Sequence, residues 1–251
     1  MSRTAAQEAI RAGGVLVGGL PASKPAMLVG LGDQISVAAL PRNFVSRGGE
    51  KLAAALARFA IDPSGLDCLD AGASTGGFTD CLLQRGAARV ISVDVGYGQF
   101  DWGLRNDSRV EILERTNIKG IDSVDLPFPP DLIVADLSFI SLRSVIGHLA
   151  DIAAPRAGFV LLVKPQFEAG REMVGKGGVV RDPDVWRTVL KGVVDACRKH
   201  DLAPMGVMAS PLRGPAGNVE FLLYARSGSE MLDIDLGPAL AAGSAIKGEQ
   251  R

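Results

Sequence analysis

Leu69-Asp70-Ala71-Gly72-Ala73-Ser74-Thr75-Gly76-Gly77-Phe78 is the stretch from which the fold of this 251-residue chain can be read. An apolar run enters it, Asp70 stands at the end of that run, small residues follow, and a helical pattern leaves from Phe78 toward Arg85. A strand, a tight turn and a helix whose amino end faces a ligand have this order, because glycines let backbone approach backbone or ligand where a Cβ would collide. An ordinary strand-to-helix loop shares the pattern, and only the later strands separate the two readings.

Outward from this stretch, strand and helix patterns alternate. Strands are expected at 67–71, 89–94, 110–113, 131–136, 159–164, 205–210 and 219–225, with helices at 77–85, 141–153 and 184–200 and a short helical turn at most after Asp94. Near-continuous apolar strands such as Leu132-Ile133-Val134-Ala135 predict a mostly parallel sheet covered on both faces, hence an α/β architecture. An apolar content of 47% supports a sizeable core, and a net charge of −1 excludes global attraction to nucleic acid or membrane, so any basic patch is local. Cys68, Cys81 and Cys197 are scattered, without a CxxC pair, which predicts neither a disulfide framework nor a metal site and fits a cytoplasmic protein. No run is long and apolar enough for a membrane span, and the first residues lack the apolar core of a signal peptide. His148 and His200 lie in or at the end of helical patterns and read as structural or surface residues, which leaves lysine and carboxylate to carry any chemistry.

Ahead of the sheet, residues 5–12 read as a short helix, and Val15-Leu16-Val17 and Gly32-Asp33-Gln34-Ile35-Ser36-Val37 as small strands joined by glycine turns. The expected organisation is a small module at 1–38, a linker at 39–45, a main domain at 46–226 and a mobile tail at 227–251.

In a doubly wound sheet, ligands bind beyond the carboxyl ends of the strands. There stand Asp70 with the glycine turn, Asp94, Glu114-Arg115-Thr116-Asn117, Asp136-Leu137-Ser138 and Lys164-Pro165, and Glu220 joins them if the last strand runs antiparallel. Asp94 is placed to grip ribose hydroxyls. The spacing Gly72-x-x-x-Gly76-Gly77 departs from the dinucleotide fingerprint, and a carboxylate just before the turn repels phosphate. A dinucleotide and S-adenosylmethionine, which carries ribose, sulfonium and ammonium but no phosphate, both remain candidate ligands; the turn favours the second.

The strings Ser46 to Leu52, Asp70 to Cys81, Val93 to Gln99, Glu114 to Asn117, Asp136 to Ser141, Lys164 to Gly170 and Gly217 to Phe221 resemble the TlyA, or haemolysin A-like, family of FtsJ-like ribose methyltransferases. The resemblance implies a Rossmann-like methyltransferase fold with a seven-stranded, mostly parallel sheet and an antiparallel last strand. It implies a catalytic tetrad at Lys51, Asp136, Lys164 and Glu220 acting on a ribose 2′-hydroxyl. It also implies an S-adenosylmethionine site around Asp70, Gly72, Ser74, Gly76, Gly77, Phe78, Asp94, Val95, Glu114, Thr116 and Asn117. The amino-terminal segment resembles a small α+β RNA-binding module of ribosomal-protein type, carried by Ser2-Arg3, Val15 to Val17, Lys24-Pro25 and Gly32 to Val37. Its first helix, expected ahead of Met1, is absent and Gly18 stands where that family usually has asparagine, so either the module is partial or the true start lies upstream.

In the tetrad, Lys164 is expected to orient and deprotonate the hydroxyl, with Lys51 as the neighbouring charge and Asp136 and Glu220 holding the lysines. Arg3, Arg11, Lys24, Arg42, Arg47, Lys176 and Arg181 are candidate phosphate contacts, and 165–182 is expected to be a mobile loop closing over RNA. Phe100 and Trp102 are candidate stacking residues or core. The implied partner is ribosomal RNA or a ribosomal subunit, without metal or membrane. The competing readings are a non-catalytic RNA-binding factor that kept the fold, and a haemolysin; no span or amphipathic apolar helix supports the latter.

Overall fold

The computed structural model describes residues 6–7, 9–10, 13–37 and 43–246. The chain divides into two compact units between Asn43 and Phe44. In the first, the described positions of the expected helix (Ala6, Gln7, Ala9 and Ile10) are helical. Three short strands follow, β1 (Val15–Val17), β2 (Leu20–Pro21) and β3 (Ile35–Val37), in the antiparallel order β2-β1-β3. Gly18 and Gly19, with φ of 57° and 83°, make the β1–β2 turn. Lys24 is exposed, while Arg3, Arg11, Arg42 and most of the expected linker lie outside the described residues.

The second unit runs α1 (Arg47–Arg58), β4 (Asp67–Ala71), α2 (Gly77–Gln84), β5 (Arg89–Val93), α3 (Trp102–Arg105), β6 (Val110–Leu113) and β7 (Leu132–Ala135). It continues through α4 (Ile146–Asp151), β8 (Gly158–Val163), α5 (Pro165–Glu168), α6 (Pro183–Lys199), β9 (Leu202–Ala209), β10 (Phe221–Ser227) and α7 (Gly237–Ala245). The seven strands pair in the order β6-β5-β4-β7-β8-β10-β9. β4 to β8 are parallel, and β10 runs antiparallel to both of its neighbours.

Successive strand residues point to opposite faces, and here both faces are covered. Leu69, Ile91, Ile133 and Leu161 pack in one core with residues of α4, α6 and α7; Cys68, Val90, Val134 and Leu162 pack in a second core with residues of α1 and α2. Because each fully buried leucine or isoleucine adds about 1.5–3 kcal/mol, apolar side chains on both faces fix the register of the central strands. That register brings the carboxyl ends of β4, β7 and β8 and the start of β10 to one edge.

Three expectations change. The helix foreseen at 141–153 is a 3-10 turn at Leu142–Ser144 followed by α4, because the turn is held from outside by Glu168, whose Oε1 accepts Leu142 N–H at 2.5 Å. β9 starts at Leu202, three residues before the expected Met205. Within the tail expected to be mobile, Gly237–Ala245 form α7, with Leu236, Ala239 and Leu240 buried in the main core. Its small residues read as flexible in sequence, yet they are what lets the helix lie close: a Cβ at Gly243 would stand 3.0 Å from Val219 and 3.3 Å from Phe221.

Candidate active site

The glycine turn between β4 and α2 is tied to the end of β5, Gly72 N–H and Ala73 N–H both donating to Val93 O. Gly72 has φ +87°, and a Cβ there would lie 2.6 Å from the carbonyl oxygen of Asp136 on the next strand. Gly76, at φ +94°, is pressed by Leu104 and by Phe100, which is buried. Gly72→Ala is therefore expected to cost roughly 1–3 kcal/mol for the left-handed backbone alone, with the collision against β7 added. Urea unfolding should show the loss as a lower midpoint at unchanged slope.

Asp70 corrects the reading that it faces a ligand. It is fully buried, and its Oδ2 accepts Thr79 N–H at 2.9 Å and Thr79 Oγ1–H at 2.7 Å, while Thr79 Oγ1 also lies 2.8 Å from Ser92 Oγ. It ties the strand to the first turn of α2. Phe78, also expected at the ligand, is 3% exposed in the α1–α2 core, and Gly77 packs against Ser46.

Burial, reinforced by the nearby Asp136 and Asp94 carboxylates and opposed by the Thr79 hydrogen bonds, raises the Asp70 carboxyl to about 7. The folded state then holds a proton that the unfolded chain has already released, so stability falls as pH rises from the ordinary carboxylate range to about 7 and is level above it. Between about pH 6 and about pH 8 the expected loss is roughly 1 kcal/mol. Asp70→Asn should flatten this slope, as read from denaturant unfolding across that range.

Asp94 follows β5, half-exposed. Its Oδ2 accepts Ser74 N–H at 2.8 Å and its Oδ1 accepts Gly96 N–H at 2.6 Å. Ser74 itself adopts φ +50°. The amide that a dinucleotide's pyrophosphate would need is thus committed to a carboxylate. Val95 and Tyr97 are exposed beside it, with the Arg115 guanidinium 4.1 Å from the Tyr97 ring centre. Glu114 accepts from Gly98 N–H at 2.8 Å and pairs with Arg105 at 2.6 Å, and the Arg105 hydrogen bond holds its carboxyl below the usual range. Thr116 N–H donates to Asp94 O, and Asn117 Oδ1 caps the 3-10 turn at Ile118–Gly120. These residues shape the loops after β5 and β6.

The four tetrad residues form two ion pairs at the carboxyl edge. Lys51 Nζ, from α1, lies 2.6 Å from Glu220 Oε2, with side chains 8% and 1% exposed. Lys164 Nζ lies 2.6 Å from Asp136 Oδ1 and donates to Ser138 Oγ at 2.8 Å. The register that pairs Phe221 with Val163 sets Glu220 beside Lys164 on adjacent antiparallel strands. The exposures of Lys164 and Asp136, 11% and 23%, make theirs the reachable pair, whereas Lys51–Glu220 is sealed. Lys51 therefore stands beside Lys164 with its charge already matched by Glu220 and not as a bare cation. Phe139, at φ +64° and fully exposed, rests on Phe167 at 5.2 Å between ring centres.

The segment after Lys164 is anchored, where a mobile loop was expected. Glu168, 6% exposed, takes hydrogen bonds from Ser141 Oγ at 2.6 Å and Leu142 N–H and pairs with Arg143. Asn218 accepts Val180 N–H at 2.9 Å and donates to Gly178 O at 2.8 Å. Sequence reasoning missed both anchors. Of the candidate RNA contacts, Lys176 and Arg181 are exposed on this segment, and Arg47 is exposed with its guanidinium on Arg213 O at 2.8 Å. Trp102 is exposed. Burial pushes the Cys68, Cys81 and Cys197 thiols up to about 12, which leaves them inert. Among the described residues there is no cluster of three metal-ligating side chains, and no helix is long and apolar enough to cross a membrane.

The FtsJ-like methyltransferase family pattern matches residues 44–227, across the whole of the site-bearing unit. The chain belongs to that family. The S4 domain pattern matches residues 2–35, the small unit. Among relatives of this methyltransferase, the 16S/23S rRNA (cytidine-2′-O)-methyltransferase TlyA of Mycobacterium tuberculosis is 51% identical over 90% of this chain and 85% of its own. Hemolysin A of Brachyspira hyodysenteriae is 39% identical over 89% of this chain and 93% of its own. A solved structure of a candidate hemolysin from Streptococcus thermophilus is 36% identical, covers 98% of this chain and 91% of its own, and superposes with a TM-score of 0.81. The match to the TlyA and hemolysin A group agrees with the motifs read from the sequence.

Proposed function

We propose that this chain is an S-adenosylmethionine-dependent RNA methyltransferase that modifies a ribose 2′-hydroxyl of ribosomal RNA, with Lys51, Asp136, Lys164 and Glu220 as its catalytic set. The observation that carries the reading is the pair of ion pairs, Lys51–Glu220 and Lys164–Asp136, on neighbouring strand ends beside the glycine turn. The TlyA relatives are named for this reaction, and ribosomal RNA as substrate implies action in the cytoplasm.

The residues present suit the donor. Gly72 and Gly76 let the turn close against Asp136, Leu104 and Phe100, and Asp94 Oδ2 takes one hydrogen bond, from Ser74 N–H, while Oδ1 takes Gly96 N–H and a longer one from Gln99 Nε2 at 3.5 Å, so lone pairs remain on Oδ2 for ribose hydroxyls. Ser74, Asp94, Val95 and the loop of Glu114, Thr116 and Asn117 would hold it, while Asp70, Gly77 and Phe78 support the turn from beneath. When bound, the donor supplies an electrophilic methyl group on a sulfonium.

A ribose hydroxyl is a weak nucleophile and must lose its proton as its oxygen bonds to carbon. Lys164 orients the hydroxyl and takes its proton as the bond to carbon forms, with Asp136 beside the ammonium that results. Ser138 Oγ, now accepting from Lys164, marks where a hydroxyl can bind. Lys51–Glu220, sealed behind it, fixes α1 to the strand edge and keeps the neighbouring wall charge-neutral overall. The direct test is incubation with labelled methyl donor and separated ribosomal subunits. Label in RNA that requires Lys164 supports the reading, and absence of label from both subunits removes it.

A further inference from the structure

Between the segment that follows Lys164 and the segment that leads into Glu220 lies a cavity of about 340 Å3 that the catalytic account does not use. Val179, Trp186 and Val219 give it an apolar floor, Ser244 of α7 stands at its wall, and Arg181 and Arg213 supply two guanidinium groups. Trp186 and Val219 are nearly inaccessible, so the floor is rigid. Among the described residues no carboxylate pairs with either arginine. Arg213 donates to the carbonyl oxygens of Gly217 and Ile246, but its Nε is buried without a partner.

The cavity is coupled to the chemistry. Val219 and Glu220 are consecutive, so one faces the cavity while the other meets Lys51 on the opposite face of the sheet. The Arg213 carbonyl holds Arg47, one helical turn before Lys51. Asn218 joins the two lining segments through Val180 and Gly178.

Resting on the proposed acceptor, the geometry points to this cavity as a subsite for a nucleotide of the same RNA strand flanking the methylated one. Its phosphate lies between Arg181 and Arg213, and its base enters the mouth of the cavity. Two planar guanidiniums match a phosphate's oxygens, and a cavity of about 340 Å3 behind them has room for more than a surface phosphate contact needs.

The test compares full-length wild type with Arg181→Gln, which removes one cation at an exposed position, and Ser244→Trp, which fills the cavity from an exposed helical position without changing charge. Affinity for the ribosomal RNA that the wild type methylates is measured against salt, with S-adenosylmethionine binding as the control for folding. Arg181→Gln is expected to weaken RNA binding roughly tenfold and to lower the salt slope by about 0.7–0.9, one phosphate contact. Ser244→Trp is expected to weaken it comparably with donor affinity intact. Unchanged affinity in both variants overturns the subsite while wild-type methylation keeps the function standing. Loss in Arg181→Gln alone overturns it too, since the arginine would then act from the open surface. A wild type that methylates no RNA overturns the functional reading itself.

Discussion

Lys164→Ala is expected to slow methyl transfer to RNA by about 10²–10⁴-fold, the usual worth of a positioned acid–base group, with donor affinity little changed. Lys164 is the tetrad amine with a path to solvent, and it already holds a hydroxyl, that of Ser138. Its removal also leaves Asp136 without its cation, but Asp136 is 23% exposed and water can take up that role, so stability should fall little. Single-turnover rates with saturating donor would show the loss in the chemical step. Because the interaction is made as the hydroxyl ionises, kcat and kcat/KM should fall together.

Glu220→Ala should act in the opposite place. It leaves the Lys51 ammonium buried without its partner, a change that typically costs 3–5 kcal/mol, and it also opens space beside Gly214, whose Cβ would stand 2.3 Å from Glu220 Oε1. This is a large part of the roughly 5–15 kcal/mol that a domain commands. The paired variant Lys51→Met/Glu220→Leu removes both charges, and its stability should recover to near that of the wild type while activity stays lost. Urea titrations of the single and double variants give the coupling directly. Equal destabilisation in both would mean that packing, and not the unmatched charge, sets the cost.

Much of this was legible in the chain. The apolar runs at β7 and β8 are buried on both faces, so their hydrophobicity alone announces them, whereas β4, with Asp67 and Asp70 in it, is marked by the glycine turn that follows. The glycines at 72 and 76 mark positions where the backbone is left-handed and neighbours crowd. The antiparallel last strand, expected only conditionally, is what brings Glu220 to the edge.

Asp70 and Phe78, expected at the ligand, are buried, for a reason also present in the sequence. Asp70 shares its strand face with Cys68, which packs toward α2, so alternation already directs it to Thr79. Phe78 lies three and four residues before Cys81 and Leu82, on the core stripe of α2. Glu168 and Asn218 carry no local pattern. Their partners lie 25–40 residues away, and only the folded sheet edge brings them together. The same holds for the tail, whose alanines and glycines look unstructured until the surface they fit is known.

The most direct measurement is the position of the methyl group. RNA from the subunit labelled by the wild-type protein is hydrolysed in alkali, which cleaves only where a free 2′-hydroxyl attacks its own phosphodiester. The label is expected in an alkali-resistant dinucleotide, and its yield should collapse with Lys164→Ala in protein that still binds donor. Label released in mononucleotides, or an undiminished resistant dinucleotide from the Lys164 variant, would contradict the assignment of this edge to ribose methylation.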